Sequence, residues 1–167
     1  MDTWREVLAL VQPYGILRNY TPDSLASELQ DVAEEFEEQL DTDRQAALAL
    51  LIAQYDPNGL HNPAEKTEAV AKWQPPLIAH LGLQGVYDRA SHRMRIESSG
   101  TTVTEETVEA PCHAAAVWNR VIVPMGFEML DLDTGGDDHS FVVTSKQAAD
   151  GLREAMLVRL MKPCPRR

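Results

Sequence analysis

Two cysteines in 167 residues are too few for a disulfide framework. Cys112 and Cys164 are therefore expected as reduced thiols, the ordinary state in a cytosol. Basic residues are scarce as well: 15 Lys and Arg stand against 26 Asp and Glu, for a net charge of −11. Nucleic acid is held by Lys and Arg that displace counterions from phosphates, so this balance speaks against it as a partner. Long apolar runs are missing too. A membrane-spanning helix needs about 20 apolar residues, and no stretch here comes close. The opening MDTWREVLALVQPYG has neither the basic head nor the long apolar block of a secretory signal, and a cytoplasmic protein is expected.

Chemical motifs are also absent. No GxGxxG or GxxxxGK[ST] offers a phosphate loop, and no GxSxG offers a nucleophile elbow. His61, His80, His92, His113 and His139 are scattered, and no zinc spacing appears. No cofactor and no metal are expected. Cys112-His113 pairs a thiol with an imidazole, but helix neighbours point about 100° apart, and no third group is placed to orient a base. Cys112 reads as a small buried hydrophobe.

What is present is an ordinary soluble composition, 44% apolar and 25% charged, with enough length for one core. Thr3-Trp4-Arg5-Glu6 has capping-box form and opens a helix with Trp4, Val7, Leu8 and Val11 on one face. Thr21-Pro22 opens a second, in which Leu25, Leu29, Val32, Ala33, Phe36 and Leu40 recur at helical spacing. Asp41 or Thr42 caps a third, ending at Asp56-Pro57-Asn58-Gly59. Asn62-Pro63-Ala64-Glu65 opens a fourth, with Val70 and Trp73 inward. A short helix through Leu77, Ile78 and Leu81 stops at Gly82.

Thereafter the pattern changes. Residues 93–97 alternate, Ser98-Ser99-Gly100 turns, and residues 101–104 are rich in β-branched side chains: a hairpin. A helix from Pro111 places Ala114, Trp118, Val121 and Ile122 on one face. Residues 127–133 and 140–144 read as two strands, and Thr144-Ser145 caps a last helix with Ala148, Leu152, Ala155, Met156 and Leu160 inward. The expected fold is α+β, a helical N-terminal half packed with a small antiparallel sheet of hairpins from the C-terminal half. One domain is expected over residues 1–161, with 162–167 a flexible basic tail.

Between the last two strands lies DLDTGGDDHSF, residues 131–141. As a calcium loop of the EF-hand type it would place Asp131, Asp133 and Gly136 correctly, but Gly135 and Val142 stand where ligands belong. As a hairpin tip it is well composed: Gly135 and Gly136 take turn conformations, and Asp131 and Asp133, alternating with leucines, face water. Its acids Asp137 and Asp138 are candidates for partner binding. So is the dense run Glu34, Glu35, Glu37 and Glu38 on the second helix. Arg93 and Arg95, two apart on one strand face, are candidates for holding an anion.

The stretch from Trp118 to Leu157, with GFEMLDLDTGGDDHSFVV between two helices, resembles a pattern in small bacterial domains of unknown function, some of them immunity-protein-like. That resemblance implies a toxin-neutralising binder and no catalytic residue. The composition and acidic runs point the same way, to a cytoplasmic protein-binding module, inhibitor or immunity type, with a basic protein as its partner. The alternative is an enzyme whose site gathers scattered polar residues of the C-terminal half, such as His113, Asp137 and His139.

Overall fold

Three helix starts along the first half are set by side chains that accept free backbone N–H groups of the first turn. The computed structural model describes residues 2–165. Helix α1 (Thr3–Val11) is capped not by Thr3 but by Asp2, whose Oδ1 accepts from the Arg5 N–H at 3.3 Å. Trp4, Val7, Leu8 and Val11 are buried, as their spacing requires. Thr21 caps α2 (Pro22–Glu28) in a reciprocal box with Ser24.

The long second helix expected through Leu40 is two helices. α2 ends at Glu28, a turn bonds Val32 N–H to the Leu29 carbonyl, and α3 (Ala33–Thr42) follows. The β-branched Val32 sits at φ −128°, outside helical values, so one stripe becomes two. Leu25, Leu29 and Phe36 still reach the same core, with Val32 only half-buried at its edge. Asp43, rather than Asp41 or Thr42, caps α4 (Arg44–Tyr55). This helix is buried nearly all round, from Ala46 through Ala53.

Strand β1 (Gly59–Leu60) follows. Asn62-Pro63-Ala64-Glu65 does not start a helix. The Asn62 carboxamide bonds both the N–H and the carbonyl of Lys66, and Glu65 adopts φ +48°, which closes a turn. α5 (Thr67–Ala71) begins after it, and α6 (Pro76–His80) ends before Gly82 as its apolar spacing and glycine stop demand.

The α+β architecture is as expected, with the antiparallel strands divided between two three-stranded sheets. One comprises β2 (Leu83–Asp88), β3 (Arg93–Ser98) and β4 (Thr101–Thr107), turned at Ser99 and Gly100, both at positive φ. Helix α7 (Pro111–Ile122) leads to β5 (Phe127–Leu132), which pairs with β6 (Ser140–Ser145). β6 also pairs with β1. α8 (Lys146–Glu154) closes the chain of elements, capped by Ser145. It stops before Ala155 and Met156, which are exposed instead of inward; Met156 is 72% exposed and has φ +53°.

The β1–β6–β5 sheet separates two apolar clusters. Leu130, Leu132 and Val142 point into a cluster built from α1 to α4 and α8. Met129, Phe141 and Val143 point the other way, into a cluster with α5, α6, α7, β2 and β3. A strand covered on both faces has no solvent side for its alternate residues. Trp118 anchors the second cluster, fully buried, with its indole N–H donating to the Val70 carbonyl at 2.9 Å.

β5 is an edge strand, and its edge is covered rather than left open. Asn119 bonds both backbone groups of Met129, at 2.7 and 2.9 Å. Further along, Leu132 bridges Leu160, Asp133 N–H donates to the Arg159 carbonyl, and Met161 N–H donates to the Asp131 carbonyl. Unpaired strand edges are a liability, and covering this one draws the C-terminal segment back across α7.

Cys164 thereby reaches Cys112, and the two are joined in a disulfide with Cα atoms 5.7 Å apart. Both expectations for this region are corrected. The thiols are not free, and the tail from 162 is pinned through Cys164, while 166 and 167 lie outside the described residues. The pair is 52 residues apart in sequence and meets only because the edge of β5 recruits the returning chain. No helix among the described residues is long and apolar enough to cross a membrane.

Candidate functional site

The β5–β6 connection spans residues 133–139; its Asp133 and Asp138, and Asp131 just before it, are half-buried and bonded, while Asp137 is exposed. Asp131 Oδ2 lies 2.6 Å from His139 Nδ1, and the His139 ring stacks on Phe141. Asp138 accepts from Thr134 Oγ1 and from Ser140 Oγ, both at 2.8 Å, and Ser140 Oγ is 3.2 Å from His61 Nδ1. Asp133 accepts from the Gly135 N–H, an arrangement that Gly135 permits at φ +87°. Arg159 then clamps Asp133 at 2.9 Å and Asp43 at 2.8 Å, and both acids draw its guanidinium pKa upward. The same hydrogen bonds hold the Asp43 carboxyl below the usual carboxylate range.

The stretch joins an antiparallel hairpin as expected, but Asp131 and Asp133 are half-buried and bonded rather than facing water. Asp131 shares its sheet face with Met129 and Phe141, and that face is covered by α7. The loop's carboxylates are dispersed among separate hydrogen bonds and do not converge. Among the described residues, the only group of three or more potential metal ligands is Cys112, His113 and Cys164, well outside the loop.

Between α7, the end of β4, β5 and the returning C-terminal segment lies a groove of about 550 Å³, lined among others by Glu106, Cys112, His113, Asn119, Asp131 and Lys162. Inside it Asp131 carries an anomaly: Oδ1 is buried without a hydrogen-bond partner. Burial pushes the Asp131 carboxyl up to about 6, against the opposing pull of His139, and nearby Asp138 adds to the rise.

The other candidates are placed as follows. Arg93 Nε bonds Glu105 at 3.2 Å and Arg95 Nε bonds Glu97 at 2.7 Å, around a shallow hollow of about 140 Å³. Both guanidiniums are thus already matched by carboxylates of the same sheet, Glu105 on β4 and Glu97 on β3. Asp137 is exposed at the loop tip, whereas Asp138 is bonded and half-buried. His113, Asp137 and His139 do not line one pocket: His113 lines the groove, His139 meets that lining through Asp131, and Asp137 is exposed at the loop tip.

Glu34, Glu35, Glu37 and Glu38 are all exposed on α3, and their carboxylates make no hydrogen bond or ion pair among the described residues. Elsewhere the opposite holds. Arg89, Arg93, Arg95, Arg120, Lys146, Arg153 and Arg159 each meet a carboxylate. These cations neutralise acids elsewhere on the surface, and α3, which carries no Lys or Arg of its own, holds a dense run of exposed acids outside those pairs.

Sequence reasoning missed Asp131 as an interior group, the Asp138–Ser140–His61 chain, and the Cys112–His113–Cys164 cluster. The alternation that places Leu130 and Leu132 on one face also places Asp131 opposite them; what was not visible is that α7 covers that face. No family model matches this chain, and neither a curated protein nor a solved structure does.

Proposed function

We propose that this chain is a cytoplasmic protein-binding module, of inhibitor or immunity type, that presents α3 to a basic surface on its partner. One observation carries the reading: the four glutamates of α3 are exposed and unpaired, while most cations of the described residues are held in ion pairs elsewhere. A ridge of one sign steers an oppositely charged partner during encounter and so raises the association rate. Phe36 on the inner side of α3 is buried against Tyr55, ring centroids 6.2 Å apart, which fixes the helix that carries the charges. Asp137 adds an exposed acid at the loop tip; Asp138, bonded within the loop, does not.

The test begins with partner recovery from the native cell, followed by association rates measured against salt. Exposed charges are screened over about 10 Å at 0.1 M salt, so association is expected to slow as salt rises. Replacing Glu34, Glu35, Glu37 and Glu38 together with glutamine is expected to slow association about tenfold or more at low salt. An unchanged on-rate in that variant, with the fold intact by circular dichroism, overturns the proposal.

A further inference from the structure

Cys112 and His113 occupy the first turn of α7, directly after Pro111, and the chain returning along β5 sets Cys164 beside them. One ligand atom from each residue, two Sγ and an imidazole nitrogen, lie within 4.8 Å of one another, and all three side chains are half-buried. Two thiolates with an imidazole form a soft donor set that favours zinc or cobalt over calcium or magnesium. Tetrahedral zinc holds sulfur at about 2.3 Å, which puts two ligating sulfurs roughly 3.8 Å apart. The two Sγ atoms, bonded to each other in this structure, must part to that distance on reduction, and the imidazole nitrogen already lies within 4.8 Å of both.

The surroundings point the same way. The cluster lines the groove of about 550 Å³, so a metal held there by three protein ligands keeps its fourth position open to that space. The unpartnered Oδ1 of Asp131 lies in the lining of the same groove.

We infer that the reduced protein binds one zinc ion through Cys112, His113 and Cys164, and that the Cys112–Cys164 disulfide is the oxidised, metal-free form of that site. Binding converts two thiols to thiolates and releases two protons to solvent. Oxidation by hydrogen peroxide empties the site. The two thiolates surrender two electrons and form the S–S bond, the O–O bond breaks to yield two waters with two protons taken up, and zinc leaves. The two states exclude each other because the disulfide occupies both sulfurs. Each ties the C-terminal segment to α7, so the 52-residue loop stays closed in reducing and oxidising conditions alike.

The experiment uses the full chain, reduced with a phosphine, freed of metal, and titrated with cobalt(II) without oxygen. One equivalent is expected to give thiolate-to-cobalt charge-transfer absorption and the intense visible bands of four-coordinate cobalt, both erased by zinc. The disulfide form is expected to give neither, and peroxide added to the zinc-loaded protein is expected to release one zinc per disulfide formed. Cys164→Ser is expected to abolish the charge-transfer band. His113→Ala is expected to shift the visible bands and weaken binding. X-ray absorption of the zinc-loaded wild-type protein, which needs no variant to fold, is expected to count two sulfurs and one imidazole nitrogen. Absence of stoichiometric cobalt binding by the reduced protein overturns the inference, as does a zinc shell without two sulfurs or unchanged spectra in His113→Ala.

Discussion

Asp131 gives one carboxylate oxygen to His139 at 2.6 Å and keeps the other buried with nothing to bond. The folded state therefore prefers Asp131 protonated, and its carboxyl titrates at about 6 instead of near 3.8. The folded value exceeds the unfolded one, so the fold retains a proton between pH 4 and 6 that the unfolded chain has released. Stability attributable to this group is then lost as pH rises through that window. The span corresponds to about 3 kcal/mol. Asp131→Asn, which carries no charge, is expected to be the more stable protein at pH 8 and to lose that advantage near pH 4. Urea unfolding of both proteins at the two pH values, with chelator present, decides it; an equal difference at both shows that Asp131 is not the cause.

Gly85 sits where β2 crosses the end of α5. A Cβ placed there would come within 1.8 Å of the Ala71 carbonyl oxygen and 2.8 Å of the Trp118 ring. Neither neighbour is a flexible side-chain end, since Trp118 is fully buried and bonded to Val70. Gly85→Ala is expected to cost about 3 kcal/mol. A loss below about 1 kcal/mol, measured by chemical denaturation, would show the approach of β2 to α5 to be looser than described.

Asn119 serves as a substitute strand for Met129, accepting from its N–H and donating to its carbonyl. Met129 is buried, so removing the amide strands two backbone groups. Asn119→Ala is expected to destabilise by about 2 kcal/mol, and Asn119→Asp, which keeps the acceptor, by less. Hydrogen exchange at the Met129 amide gives the local reading: its protection should fall in Asn119→Ala and persist in Asn119→Asp.

Closing a loop of 52 residues restricts the unfolded chain, and the disulfide is worth up to about 4 kcal/mol by that entropy alone. Reduction in the presence of chelator, or Cys164→Ser, is expected to lower the urea midpoint accordingly. Reduction without any effect on the midpoint would mean that the C-terminal segment contributes nothing to holding the fold.

How far these features could be read in the sequence depends on the range of the interaction behind each. Thr21-Pro22 and Gly82 act within a turn of themselves, and the helix start and the helix stop they mark lie where expected. The Ser99-Gly100 turn is equally local. β2 went unseen because Gly85 interrupts its pattern, and the reason for a glycine there is a helix end contributed from elsewhere in the chain. Asp131 was assigned the right parity and the wrong environment, since nothing nearby in sequence says that α7 covers that face. The α3 glutamates were visible as a run, but that they stay unpaired depends on where Arg93, Arg120 and Arg159 find their carboxylates. Cys112 and Cys164 lie furthest from any local rule, because their meeting follows from how the edge of β5 is covered.

The Cys112–Cys164 bond also makes a covalent ring of everything between those residues, including β5, β6, α8 and the exposed tip at Gly136 and Asp137. A protease that nicks the chain at that tip cuts the backbone once yet liberates no piece. The nicked molecule keeps its full mass on a denaturing gel until a reductant is added, and only then parts into two fragments.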